Sequence, residues 1–312
     1  MKLPEAVRPH KLPAYAAVDA DGRLRRQLAR LWNRWESIVS EQEQKPDRAS
    51  WNVGDFLNPR EPIPAGLYIG LGVGSFAVLL ALWAAVTYTR LIDPLFLPTP
   101  GRVLQAGLDL FFEFDFTTDI LNSTYRVMVG FLIAAILGVP LGLLMGTFKA
   151  AEALIEPLMG FIRYMPASAF IPLFILWLGI GDVEKVAIIF VGSFFQLVLM
   201  VAVVAKNVHK DMLETAYTLG ARRVQVIRKV LLPASLPGIL ETLRIIVGWA
   251  WTYIVVAELV ASSSGIGYMI ISAQRMLRTA SIIFGILTIG MLGLITDYGF
   301  KWLHRKLFPW VE

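Results

Sequence analysis

The sequence predicts an all-α polytopic membrane protein of six transmembrane helices, preceded by a polar N-terminal extension. Three observations lead there. Hydrophobic residues make up 56% of the 312-residue chain and charged residues only 17%, against roughly 45–50% and 25% in soluble globular chains. The mean hydropathy is +0.61. The apolar residues also gather into runs of about 20 or more, the length a helix needs to cross a hydrocarbon core of about 30 Å.

Residues 1–65 form the extension. They contain no apolar segment of signal-peptide or spanning length. Within them Leu24, Leu28, Leu31, Trp32, Trp35, Ile38 and Val39 recur at helical spacing, flanked by Arg23, Arg25, Arg26, Arg30 and Arg34. That pattern predicts a cytoplasmic amphipathic helix lying on anionic lipid, or equally a helix packed on a partner subunit.

The remainder, 66–312, begins with an uncharged run at 66–88 that Arg90 and Asp93 end. A mixed connector follows to Tyr125, with a short helix expected over 102–112 after the Leu97-Pro98-Thr99-Pro100-Gly101 turn. Further spans are expected at about 128–148, 154–178, 186–205, 239–260 and 282–303, each a sustained apolar run bounded by charge. Six crossings put both termini on one side. Basic clusters after the fourth span (Lys206, Lys210, Arg222, Arg223, Arg228, Lys229) and at the end of the sixth (Lys301, Arg305, Lys306) share that side with the arginine-rich extension, which the positive-inside rule assigns to the cytoplasm. Arg275 and Arg278 are exceptions in the opposite loop. The net charge of +5 therefore reads as topology, and nucleic acid is not expected as a partner.

Prolines at 140, 166 and 172 lie in or beside spans and free backbone groups that neighbours must satisfy. Gly138, Gly142, Gly146, Ala150 and Ala151 recur at close to four-residue spacing, a small-residue stripe suited to tight helix contact. With no cysteine and only three scattered histidines, metal sites and thiol chemistry are not expected. No phosphate-binding Gly-x-x-x-x-Gly-Lys-Ser/Thr loop, nucleophile elbow or carboxylate pair within the spans is present. An enzyme acting by its own residues is excluded on that reading.

The distinctive segment is the loop 206–233. Glu214, Thr215, Ala216, Gly220, Ala221, Leu232 and Pro233 follow a pattern in which a short helix ends at a glycine and a second, basic helix stops at Pro233. The segment resembles the EAA loop of ABC importer permeases, EAA-x3-G-x9-I-x-LP, with Thr215 in place of the first alanine and Val230 in place of the isoleucine. From Leu97 to Asp297 the chain is similar to the nitrate, taurine, alkanesulfonate and bicarbonate branch of type I permeases. The resemblance implies a type I importer fold in the bacterial inner membrane and coupling through Glu214 to Pro233 to ABC ATPase subunits that carry the ATP and Mg²⁺. It also implies a second permease copy and a substrate-binding protein, with no cofactor in this chain. A secondary transporter or channel driven by ion gradients is the alternative, and would favour buried acids or histidines on an ion path.

Intramembrane charges supply the remaining candidates. Arg163 and Arg244 are expected near the cytoplasmic ends of their spans, Arg244 paired with Glu241 three residues before it. Glu258, near the outer end of the fifth span, is expected to be a structural or gate residue.

Overall fold

Lipid offers no hydrogen bonds, so a chain that crosses it must satisfy its backbone internally. A computed structural model describes residues 63–310 apart from Ala261, and all regular structure among them is helical. The amphipathic stripe of the extension lies outside the described residues. The chain divides into two units, 1–75 and 76–312, with the boundary inside the first helix.

Eleven α-helices are described: α1 Ala65–Tyr88, α2 Pro100–Glu113, α3 Phe116–Thr147, α4 Lys149–Ile162, α5 Ile171–Leu178, α6 Asp182–Lys206, α7 Lys210–Thr218, α8 Arg223–Val226, α9 Leu232–Leu259, α10 Ile266–Arg275 and α11 Thr279–Leu307. Five segments are long and apolar enough to cross a membrane, and six if the bent pair α4 and α5 forms one span. In the second unit α1 leaves Phe76, Leu79, Leu80 and Leu82 exposed, and α11 leaves Ile286, Leu287, Met291 and Ile295 exposed. Surfaces of that kind are stable only against lipid or another apolar face.

Four expectations from sequence need correction. The second span starts at Phe116, twelve residues before the expected 128, because Asp119, Ser123 and Arg126 are helical and find polar partners on other helices. The third span is broken: the pair Lys149–Ile162 and Ala167–Leu178 bends by 82°. The cause is Pro166, extended at ψ 123°, which also bars helical geometry at the residue before it. Pro233 does not stop a helix. It occupies the first turn of α9, where no amide hydrogen is required, and a π-helical turn over Ile227–Leu231 joins α8 to α9. Helix α10, ten residues long, is too short to show as a span and was not anticipated.

The core lies between α3, α6 and α9, where Val127, Phe131, Ile189, Leu197, Val201, Ile246, Val247 and Ile254 are buried together. Helices α3 and α6 make the closest pairing. A Cβ at Gly138 would stand 3.0 Å from the Leu197 side chain, at Gly142 2.7 Å from the Val198 carbonyl oxygen and at Gly146 2.5 Å from that of Ala202. The stripe therefore permits backbone-to-backbone contact. It stops at Gly146: the chain turns at Phe148, which leaves Ala150 exposed and Ala151 half-buried on α4.

Gly142→Ala is expected to lower the thermal stability of the detergent-solubilised protein by the equivalent of about 1–3 kcal/mol, because the added methyl meets backbone. Gly290→Ala, which has open space around it, should leave the midpoint unchanged or higher. Equal midpoints for the two variants would contradict the seam.

Candidate functional site

Two places combine polar chemistry with shape. The first projects between α6 and α9. Helix α7 closes with the Ala221 N–H bonded to the Ala216 carbonyl at 3.0 Å and the Gly220 N–H to the Tyr217 carbonyl at 2.9 Å. This paired closure requires a left-handed residue, and Gly220 supplies it at φ +81°. The Gln225 side chain then accepts from the Arg222 N–H at 2.8 Å, starting α8. Arg223 lies over the Phe148 ring, 5.0 Å from its centre, and ties the projection to the α3–α4 corner. Glu214 and Thr215 are exposed, and Ala216 and Ala221 are half-buried beneath them. Met212, Tyr217, Leu219 and Val224 are exposed as well, Leu219 at 82%. Leu232 and Pro233 sit at the root of the projection, where α9 begins.

The second place is the opposite end of α6 and α9. Arg126 on α3 is 5% exposed. It bonds Glu258 at 2.6 Å through Nη1 and Asp182, at the first residue of α6, at 2.7 Å through Nε. The same guanidinium donates to the Ser264 carbonyl at 2.8 Å and to its hydroxyl at 3.0 Å. Glu258, 1% exposed, accepts from Ser123 Oγ at 2.8 Å and from the Gly267 N–H at 2.8 Å. Asp119 accepts from the Gly265 N–H at 2.6 Å, and Ser123 Oγ from the Ile266 N–H at 2.9 Å. Three successive amides at the start of α10 are thus capped by side chains of α3 and α9. Three carboxylates face one arginine here, and the positive end of α10 offsets part of that excess. Any side chain at Gly265 would collide with the Glu258 carboxylate.

A third pair is close by on α6. Lys185 bonds Glu184 at 3.1 Å and the Gly181 carbonyl at 3.0 Å, both residues being almost fully buried. The second carboxylate oxygen of Glu184 has no partner among the described residues.

The sequence-predicted residues are thus dispersed. Glu258 belongs to the Arg126 cluster. Arg244 bonds Glu241 at 2.6 Å and Asp297 of α11 at 3.3 Å. Arg163 lies at the bend after α4, exposed, not at a span end as expected. Sequence reading singled out Glu258 but missed Arg126, Asp119 and Asp182, because Arg126 and Asp119 fall before the expected start of the second span and Asp182 before that of the fourth. The fold brings Asp119 and Glu258, from different helices, to the start of α10, where each accepts from one of its first amides. The signal was present: Asp119, Ser123 and Arg126 recur at helical spacing on one face of an otherwise apolar run.

Comparison with known proteins places these features in a family. Residues 138–309 match the model of the binding-protein-dependent transport system inner membrane component. The taurine transport system permease protein TauC of Escherichia coli (strain K12) is 34% identical, with 79% of this chain and 92% of the relative covered. The putative aliphatic sulfonates transport permease protein SsuC of Bacillus subtilis (strain 168) is 36% identical over 75% of this chain and 85% of its own. The bicarbonate transport system permease protein CmpB of Synechococcus elongatus is 30% identical over 75% and 86%. Among solved structures, the inward-facing MetNI methionine ABC transporter shares the fold at a TM-score of 0.57 and 18% identity, covering 62% of this chain and 96% of that one. The chain therefore belongs to the binding-protein-dependent inner membrane components, the multi-pass permease subunits of ABC importers.

Proposed function

We propose that this permease carries a small oxoanion, of the sulfonate or bicarbonate class, received from a binding protein and moved inward by ATPase subunits docked on the projection from Glu214 to Pro233. The observation that carries the coupling reading is the projection itself. It is a rigidly closed helical turn with Met212, Tyr217, Leu219 and Val224 exposed, an apolar face that fits a protein groove better than water. The match of this segment to the EAA pattern supports the same partner. The solute class is supported by the names of the relatives, which transport taurine, aliphatic sulfonates and bicarbonate. Family membership sets aside the ion-gradient alternative.

On this reading the chain has no catalytic site and holds no cofactor; ATP and Mg²⁺ are bound and hydrolysed on the ATPase subunits. The permease works as a pair of identical copies. Both termini and the projection lie in the cytoplasm, and the Arg126 cluster lies at the periplasmic end, beside the surface that meets the binding protein. Residues 1–65 are a cytoplasmic appendage to the 66–312 transport domain.

Replacing Gly220 with valine places a β-branched residue at φ +81°, a conformation that costs about 1–2 kcal/mol or more for such a side chain. Gly220→Val is expected to abolish co-purification with the ATPase, or ATP-driven uptake, while the membrane helices stay folded. Wild-type uptake by that variant would refute the coupling role. Orientation can be checked independently, because the chain has no cysteine of its own. A cysteine at position 222 should react with an impermeant maleimide only from the cytoplasmic side and one at 115 only from outside; the reverse pattern would overturn the topology.

A further inference from the structure

The break between α4 and α5 leaves a cavity of about 50 Å³ lined by Arg163, Met165, Val191, Gln196, Trp249 and Tyr253, among others. It is larger than a single water requires. Its depth follows from the helices that form it. Gln196 stands ten residues, ~15 Å, before Lys206 at one end of α6. Trp249 stands ten residues, ~15 Å, before Leu259 at the opposite end of the bundle on α9. The cavity is therefore close to the middle of a core about 30 Å thick.

The chemistry of the lining is one-sided. Arg163 supplies a guanidinium, Gln196 an amide, Trp249 an indole N–H and Tyr253 a phenol, and no Asp or Glu lines the cavity. Arg126 and Arg244 are each shared between two carboxylates. Among the described residues Arg163 makes no such pair. It donates one N–H to the Tyr164 hydroxyl at 2.8 Å and stacks on that ring, which holds the guanidinium plane and leaves other N–H groups for a ligand. Gly192 permits the arrangement: a Cβ there would stand 2.6 Å from the Tyr253 ring. A cation at bilayer depth is costly to keep. A cluster that offers a guanidinium and several donors but no carboxylate suits an anionic ligand rich in acceptors, and the planar fork of arginine matches two oxygens of such a group.

We propose that this cavity is a binding station for the oxoanion head group of the solute, with Arg163 holding two oxygens and Gln196, Tyr253 and Trp249 donating to the rest. The tail of the solute stays outside it. The inference rests on the small-oxoanion reading of the permease and adds the place where the charge is held.

The test uses the full complex in proteoliposomes with Met165→Cys as the reporter and ethanesulfonate as the probe. Ethanesulfonate is expected to slow maleimide labelling of the cysteine severalfold. Adding Arg163→Gln should raise the concentration for half-protection about tenfold or more, and Arg163→Lys should restore part of it. Val191→Cys is the reporter if the Met165 variant does not assemble. Uptake of ethanesulfonate by a complex whose labelling ignores it would overturn the station alone. A wild-type complex that accumulates neither ethanesulfonate, taurine nor bicarbonate would overturn the substrate reading and the station with it.

Discussion

Arg126 is the group on which the arrangement of the bundle depends. Its charge is buried, and a buried charge is tolerable only when every donor has an acceptor. The guanidinium meets that condition by reaching Glu258 on α9, Asp182 at the start of α6 and Ser264 before α10. Each acceptor belongs to a different segment, so satisfying one side chain fixes three segments against α3. Glu258, Ser123 and Asp119 extend the same constraint to the first amides of α10. Ser123, Arg126 and Glu258 are buried, so removing one of these three leaves another without a partner and away from water.

From that end, packing of a different kind takes over. The contact of α3 with α6 rests on Gly138, Gly142 and Gly146, where the absence of a side chain brings backbones together. Association between helices in lipid draws on such packing because apolar side chains gain little by leaving lipid for protein. Helices α6 and α9 run from the Arg126 cluster to the projection and back, with α7 and α8 between them. A force applied to the projection therefore acts on two helices whose far ends are joined through one arginine. Between the ends, the break at Pro166 opens the bundle beside Arg163.

Much of this was legible in the sequence, for reasons that can be named. Hydropathy marked α1, α6 and α11 because their apolar runs are bounded by charge. Gly220 was legible because the end of a short helix needs a left-handed residue, and glycine reaches it at little cost. The broken third span was not legible: Pro166 sits in a run as apolar as an unbroken helix, and only the chain's path shows the 82° bend. Pro233 misled because proline ends a helix when it follows one and begins a helix when it precedes one. The Arg126 cluster was hidden for a deeper reason. Its partners lie 56, 132 and 138 residues away along the chain, and a polar stretch whose partners are remote looks like a loop. Helical spacing of Asp119, Ser123 and Arg126 was the one local sign.

The central claim is that Arg126 and Glu258 act as one buried unit rather than as two independent polar residues. A double-mutant cycle on the purified permease, using Arg126→Gln, Glu258→Gln and the two combined, measures this through thermal unfolding. The account predicts that each single change lowers the midpoint sharply, and that the double variant loses less than the two singles summed, with a coupling of about 0.5–3 kcal/mol. Strictly additive losses, or a native midpoint for Arg126→Gln, would contradict it.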